Sequence, residues 1–312
     1  MRLQLKVFRD AAMKRPTKRL LVQLALVLVL VSAAGVLINN LTVNLIRTGL
    51  GVSFSWLNRP AGFALAEHAV PFKPSDSYAW ALFVGWLNSL KVIVTGLITA
   101  TVLGVLAGAA RRSINPFLRQ LAAAYVGLVR QVPLLLQLLF WYFVALLGLP
   151  STNPYPLDSL VRFTNKGIGF LGVHLSVEFT AVLIGLSVFT GASIAEVVRG
   201  GLDAVPRGQW EAFRSLGLPE PMGLRRVVLP QALPAILPGL SSQYLNLAKN
   251  STLAIAVGYA DLYAVSDTTI TQTGRAIEGF LLLLVSFLVL NLLINGGMQV
   301  LNRLVIRRGQ RS

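Results

Sequence analysis

Apolar residues in this chain gather into long runs separated by short polar segments. The runs cover residues 20–38, 84–110, 132–149, 179–198, 230 to about 257, and 280–304. Crossing a bilayer takes roughly 20 mostly apolar residues in a helix. Open strands cannot satisfy their backbone groups in lipid, so each run is read as a helix. The pattern predicts an all-α integral membrane protein with about six transmembrane helices. The remaining stretches read as connections: a long one over 39–82, a shorter one over 150–176 carrying "STNPYP", and a polar one over 258–278.

The runs differ in texture. The first follows a basic tail of Arg2, Lys6, Arg9, Lys14, Arg15, Lys18 and Arg19, and ends in "SAAG". That ending resembles a signal-peptidase site. The run exceeds the apolar core of about 7–15 residues usual in signal peptides, so we read a retained anchor. The second run places Gly96, Ala100, Gly104 and Gly108 at four-residue spacing, and the fourth repeats the device with Ala181, Gly185, Ala192 and Ala195. Small residues on one helix face let backbones approach closely, either within one subunit or at a seam between two. The fifth run carries Pro230, Pro234 and Pro238, then Gln243, Asn246, Lys249, Asn250 and Ser251. Proline kinks or breaks a helix. Broken helices survive at membrane depth where protein or water covers them, so this span is expected to line a translocation path.

Between the fourth and fifth runs lies "EAFRSLGLPEPMGLRRVVLP", residues 211–230. A helix from about 206 to 216 sets Trp210, Phe213 and Leu216 at i, i+3 and i+6. Gly217 suits the left-handed position just past a helix end. "LPEP" restarts the chain, since proline is tolerated in a first helical turn. A second short helix then offers Leu224, Val227 and Val228 beside Arg225 and Arg226, and Leu229-Pro230 opens the fifth span. The prediction is a compact helix–turn–helix outside the bilayer, with an apolar ridge shaped for a groove on another protein.

Composition sharpens this picture. The chain is 54% hydrophobic and 13% charged, against about 25% charged in soluble domains. Mean hydropathy is +0.67. The net charge of +16 would suit nucleic acid, but its distribution points elsewhere. With the N-terminus inside, segments 1–19, 111–130, 199–226 and 303–312 hold 20 of the 28 basic residues. Of the acids they hold only Asp10, Asp203, Glu211 and Glu220. That bias places both termini on the cytoplasmic side, with the basic residues against anionic lipid, and no nucleic-acid partner is expected. Cysteine is absent, which excludes disulfides and thiolate metal sites.

Candidate chemistry is sparse. Glu178 stands at the outer end of the fourth span and is either an interfacial charge in water or a contact for a substrate ammonium. Lys249 either anchors a substrate carboxylate or pairs with a carbonyl, and Asn250, Ser251 and Thr252 add neutral donors and acceptors. Glu196 and Arg199 are spaced as an i, i+3 ion pair. His68 and His174 stand alone in outer connections, so no metal and no cofactor is expected.

The segment 211–230 carries a resemblance. Permease subunits of bacterial ABC-type importers have an EAA motif: Glu-Ala-Ala, three residues, Gly, nine residues, Ile, one residue, Leu-Pro. Here Glu211-Ala212-Phe213 is followed by Gly217, Val227 and Leu229-Pro230 at the same spacing. Phe213 replaces Ala and Val227 replaces Ile, and both stay apolar. Segments 130–143, 191–217 and 229–238 look like the polar amino acid permease branch, and 259–278 is similar to general L-amino acid permeases. The resemblance covers roughly 88 to the C-terminus.

It implies a type I ABC importer permease-like bundle in the bacterial inner membrane, with a coupling segment at about 203–230 within a transmembrane domain of 84–312, preceded by a separate region 1–83. It implies that Trp210, Glu211, Ala212, Phe213, Gly217, Val227, Leu229 and Pro230 dock on a cytoplasmic ATPase dimer. It further implies a second permease subunit, identical or sibling, and a periplasmic amino acid-binding protein. The chain has no Gly-x-x-x-x-Gly-Lys-Ser/Thr phosphate loop, so ATP hydrolysis is expected in the separate ATPase and none here. The competing readings are a secondary transporter using the broken fifth helix, which needs no EAA segment, and a membrane scaffold, which needs no polar fifth span.

Overall fold

The computed structural model describes residues 2–47, 51–150, 161–170 and 173–309. It comprises two units, Met1–Phe54 and Ser55–Ser312. In the first, the expected anchor is part of one long helix, α1 (Arg2–Arg47), whose apolar span runs Leu20–Leu45.

The second unit is built on two crossed helices, α2 (Tyr78–Ala110) and α5 (Val177–Asp203). Each starts on a serine cap: Ser77 Oγ accepts from the Trp80 N–H and Ser176 Oγ from the Phe179 N–H, satisfying otherwise orphan donors. The glycine stripe on α2 serves this crossing within one chain. A Cβ on Gly104 would stand 2.5 Å from Ile194 Cβ, and one on Gly108 2.8 Å from the Ala195 carbonyl oxygen. Only glycine lets these two backbones approach so closely.

Among the described helices, Leu20–Leu45, Tyr78–Ala110, Val177–Asp203 and Ala276–Val305 are long and apolar enough to cross a membrane. The last belongs to α10 (Ala276–Gly309). The third predicted span takes a different form. Segment 111–130, read as a connection, is mostly helix α3 (Pro116–Gln131), capped by Asn115 with Pro116 in its first turn. Its Ala122 and Val126 are buried, and Tyr125 Oη donates to the Val188 carbonyl at 2.7 Å. The chain then turns by 105° into α4 (Leu134–Leu139) and a π-helical stretch, Phe140–Leu146. Pro133 cannot continue the hydrogen-bond ladder. The buried Gln137 amide fills the break, donating to the Val129 and Val132 carbonyls at 2.9 and 3.0 Å.

The predicted fifth span forms helix α8 (Leu229–Asn250), continued by a 3-10 turn, Ser251–Val257. It is not among the described helices long and apolar enough to cross a membrane, which number four, or five with the bent pair, against the six expected. The expected break at the prolines does not occur, because α8 runs unbroken through Pro234 and Pro238. The ladder changes only at Ser251. The connection 258–278 is likewise not all loop. It holds α9 (Leu262–Thr273), capped by Asp261 and ended by Gly274 at φ +67°. Between α4 and α5, strands β1 (Val161–Thr164), β2 (Gly167–Phe170) and β3 (Val173–Leu175) form an antiparallel sheet in the order β1-β2-β3, an addition to the helical framework.

The long connection does not stand apart from the bundle. From Ser55 onward it packs on α2 and α9, with Trp56, Ala61 and Tyr78 in a cluster with Ala81 and Val265. We call this the loop end of the bundle. The opposite end, where the basic residues gather, carries α6 (Arg207–Ser215) and α7 (Glu220–Gly223).

Candidate functional site

The basic end is a capped helical hairpin. Gly217 adopts φ +69°, its N–H bonds the Arg214 carbonyl at 2.9 Å, and the Leu218 N–H reaches back to the Phe213 carbonyl at 3.1 Å. This pair of bonds is the Schellman closure that a left-handed glycine permits. Arg214 Nε bonds Glu220 Oε1 at 2.6 Å, tying α6 to α7. Beyond α7 a π-helical stretch, Leu224–Val228, runs directly into α8, so the hairpin and the fifth span are one continuous piece.

The apolar ridge is arranged differently from the expectation. Trp210 (8% exposed) and Phe213 (1%) turn inward and join Leu202, Val205, Val228 and Ala232 in one core, so they shape the hairpin from within. Only Leu216 of the three points out, at 77% exposure. Phe213, where the motif has alanine, lies flat on Gly223: a Cβ there would stand 2.2 Å from Phe213 Cδ2. Glu211, Ala212 and Pro230 are exposed, while Val227 and Leu229 are half-buried.

A charged relay links the hairpin to the spans. Glu196 pairs with Arg199 at 2.9 Å, as expected, and also with Arg111. Arg199 reaches Asp203 at 2.8 Å, and Asp203 also binds Arg112. The Arg112 guanidinium then sits 4.6 Å from the centre of the Trp210 ring. Burial, with Arg199 and Arg130 nearby, holds the Arg111 pKa below its ordinary value.

At the loop end, Glu178 lies in the first turn of α5 and accepts a hydrogen bond from Tyr142 Oη at 3.2 Å. Lys249 is exposed on α8. Ser251 is buried, and its hydroxyl donates to the Ala248 carbonyl at 2.9 Å; Thr252 does the same to Lys249 at 2.8 Å. These two hydroxyls are spent on turning the chain from α8 into its 3-10 continuation. No described contact brings Lys249, Asn250, Ser251 or Thr252 to Glu178. The open face of α8 is polar toward its end: Ser242, Asn246 and Lys249 follow at i, i+4 and i+7, all exposed. Polar groups at membrane depth require a protein or water neighbour, which suits a path wall or a seam with another subunit.

Sequence reasoning overlooked the hub of this end. Asn88, fully buried on α2, donates to the Glu67 and Ala260 carbonyls at 2.9 and 2.8 Å and accepts from the Ala69 N–H at 3.0 Å. Tyr259 Oη donates to the Asn88 carbonyl at 3.1 Å, and the Leu262 N–H donates to Ser89 Oγ at 2.9 Å. The same pinning sets Lys91 beside Glu67, with Nζ 2.7 Å from Oε1. Nearby, Asp261 is buried; its Oδ1 accepts from the Ala264 N–H at 2.8 Å, and Oδ2 has no partner. Burial pushes its pKa up to about 7 against those backbone bonds.

The structure is thus a bundle of long apolar helices with a helical hairpin continuous with one of them, the architecture of an integral membrane protein. Residues 100–307 match the family described as binding-protein-dependent transport system inner membrane component. The chain belongs to that family and is a permease subunit. It is 33% identical to the putative amino-acid ABC transporter permease protein YhdX of Escherichia coli (strain K12), over 92% of this chain and 94% of the relative. The general L-amino acid transport system permease protein AapQ of Rhizobium johnstonii is 32% identical, over 87% and 88%. Among solved structures, an amino acid ABC transporter crystallised with histidines matches with TM-score 0.57 and 26% identity, over 72% of this chain and 94% of that one. The MetNI methionine ABC transporter, in inward-facing form, shares the fold at TM-score 0.57 over 72% and 96%.

Proposed function

We propose that this chain forms half of the path through which an ATP-driven, binding-protein-dependent importer carries L-amino acids into the cell. The observation that carries the reading is the closed hairpin, whose Gly217 turn and α6–α7 ion pair make a stiff unit continuous with α8. A cytoplasmic ATPase dimer docks on its exposed side, around Glu211, Ala212, Ser215 and Leu216, with both termini in the same compartment. Trp210 and Phe213 support that surface from behind. ATP is hydrolysed in the ATPase, whose closure moves the hairpin. A second permease subunit covers the open polar face of α8, and a periplasmic protein delivers the amino acid. The substrate class rests on the names of the relatives, and Glu178, held toward Tyr142, is the candidate partner for the α-ammonium.

The test is expression of the chain with its genomic neighbours, co-purification, and uptake of radiolabelled amino acids into reconstituted vesicles. An ATPase in the complex and ATP-dependent amino acid uptake are expected. Uptake without any ATPase would restore the secondary-transporter reading, and uptake of sugars or inorganic ions only would overturn the substrate class. Glu178→Gln, which keeps size and removes charge, is expected to slow uptake; unchanged uptake would remove that residue from the path.

A further inference from the structure

Lys91 sits where a charge is expensive. It lies within the apolar run of α2, on the loop-end side where the cap of α5 also stands. An ionisable group within an apolar span needs a partner and is a functional candidate by default. Its partner comes from the non-helical connection: Glu67, whose side chain is only 17% exposed. Backbone without helix or sheet beside an apolar span needs protein to cover its polar groups. Asn88 supplies that cover by clamping the Glu67 carbonyl and the Ala69 N–H.

The Glu67 carboxylate is held by two donors. Lys91 Nζ meets Oε1 at 2.7 Å, and Ser176 Oγ donates to Oε2. The Lys91 ammonium also rests 4.2 Å from the centre of the Phe179 ring, which holds it in place by cation–π attraction. Ser176 is at the same time the cap of α5, so the positive end of a 27-residue helix faces this corner. Ammonium, hydroxyl and helix terminus are the donors that bind a free carboxylate, and this corner holds one that is tethered. The seal is incomplete, since Lys91 keeps 34% of its side chain exposed. Glu178, the candidate for an ammonium, lies in the same first turn of α5. Glu178 and the Ser176 that binds the carboxylate therefore share one helical turn.

We propose that Lys91, Ser176 and Phe179 form a carboxylate-binding subsite, occupied in this state by Glu67 as a tethered plug that an amino acid's α-carboxylate displaces. The inference rests on the amino acid reading above and assigns the residues that read the acid group. Exchange of one carboxylate for another conserves the charge around Lys91, so the ammonium is never left unpaired. A structural ion pair would have no such exchange, and the two interpretations diverge on substitution.

The experiment measures binding of tritiated L-glutamine, L-leucine and L-glutamate to the purified permease–ATPase complex without the binding protein. Glu67→Gln removes the plug and should tighten binding about tenfold, the scale of one charge-assisted hydrogen bond. Lys91→Gln should weaken it by a similar factor, and L-glutaminamide, which lacks the acid, should not compete. Melting temperature is followed in parallel, along with the exchanged pair Glu67→Lys with Lys91→Glu. A structural bridge predicts that the exchange restores both stability and binding; the subsite predicts recovered stability with binding still lost. Binding that is unchanged or weaker in Glu67→Gln, recovered in the exchanged pair, or absent in every variant overturns the subsite. Vesicle uptake by the unaltered complex tests the transport reading separately, so a complex that imports amino acids but fails these tests loses only the subsite.

Discussion

Phe213 and Gly223 offer a quantitative test of how the hairpin is built. Phe213 is 1% exposed, and its ring occupies the space where a Cβ on residue 223 would be, 2.2–2.6 Å from three ring atoms. Phe213→Ala opens a cavity in a packed core, which costs about 3–5 kcal/mol. Gly223→Ala forces a methyl group against an aromatic ring that cannot retreat, because Leu202, Val205 and Val228 stand around it. Such overpacking costs about 1–3 kcal/mol, and the helix propensity gained on losing a glycine returns up to about 1 kcal/mol. In the double variant the new methyl enters the space the ring vacated. The combined cost should therefore fall short of the sum by about 1–3 kcal/mol, the coupling expected of residues in direct contact. At about 2–4 °C per kcal/mol, the low end applying to a chain of this length, the shortfall is several degrees of melting temperature. The assay is thermal unfolding of the complex in detergent for the four proteins of the cycle. Shifts that add to within about 1 °C would refute the contact. The double variant restores the alanine found in the EAA motif, so it should also regain ATP-driven uptake where Gly223→Ala alone does not.

Three further outcomes are expected. Gly217→Val should leave the protein in the membrane but abolish coupled uptake, because a β-branched residue is strongly disfavoured at φ +69°; normal binding-protein-stimulated ATP hydrolysis would contradict this. Asp261, raised from 3.8 to about 7, keeps its proton in the folded chain after the unfolded chain has lost its own, so stability should fall as pH rises between those values. The loss is at most about 4 kcal/mol, and Asp261→Asn, which still caps α9, should flatten the decline in melting temperature; an unchanged pH profile would exclude Asp261 as its source. Finally, with no native cysteine, Ser215→Cys should react with a membrane-impermeant thiol reagent in inverted vesicles and not in intact cells; labelling from outside would reverse the orientation.

The spans and the hairpin were legible because each rests on local chemistry. The Gly217 turn could be read from one residue, since few other side chains tolerate positive φ. The bend at Pro133 was less visible, because its closure depends on Gln137, four residues further on, whose amide replaces the missing backbone bonds. Helix α9 was hidden by its polarity: its buried face is Leu262, Val265, Ser266 and Thr269, a helical period that the two hydroxyl residues disguise. Lys91 was readable as a lone charge inside an apolar run, a signal that sequence reasoning passed over. Glu67 was not readable, because nothing local aligns the connection with α2. That register is set by Asn88, through contacts 19 to 21 residues apart and others to residues 259 and 260. The ridge was misdirected for a related reason. Spacing places Trp210, Phe213 and Leu216 on one helix face, but the core formed by α5 and α8 decides which of them is covered.

That core also constrains how movement can pass through the subunit. Leu202 and Val205, at and just beyond the end of α5, and Val228 and Ala232, around the start of α8, share one cluster with Trp210 and Phe213. Displacing the hairpin alone would tear this cluster open, at the cost of several large buried side chains of about 1.5–3 kcal/mol each. The cheaper response is for α5 and α8 to move with it. Helix α5 carries Ser176 and Phe179 at its other end, about 40 Å away over 27 residues. Their counterparts Glu67 and Lys91 belong to the connection and to α2, which enters the same core through Ile93 and Ala100. Any displacement of α5 relative to α2 would change the geometry of the carboxylate corner, while the Asn88 clamp keeps Glu67 with α2. The close crossing at Gly104 and Gly108, and the hydroxyl contact between Thr99 and Ser187 beside it, resist that displacement. The hairpin and the carboxylate corner are thus opposite ends of one helix, and the small residues of α2 hold that helix close along its length.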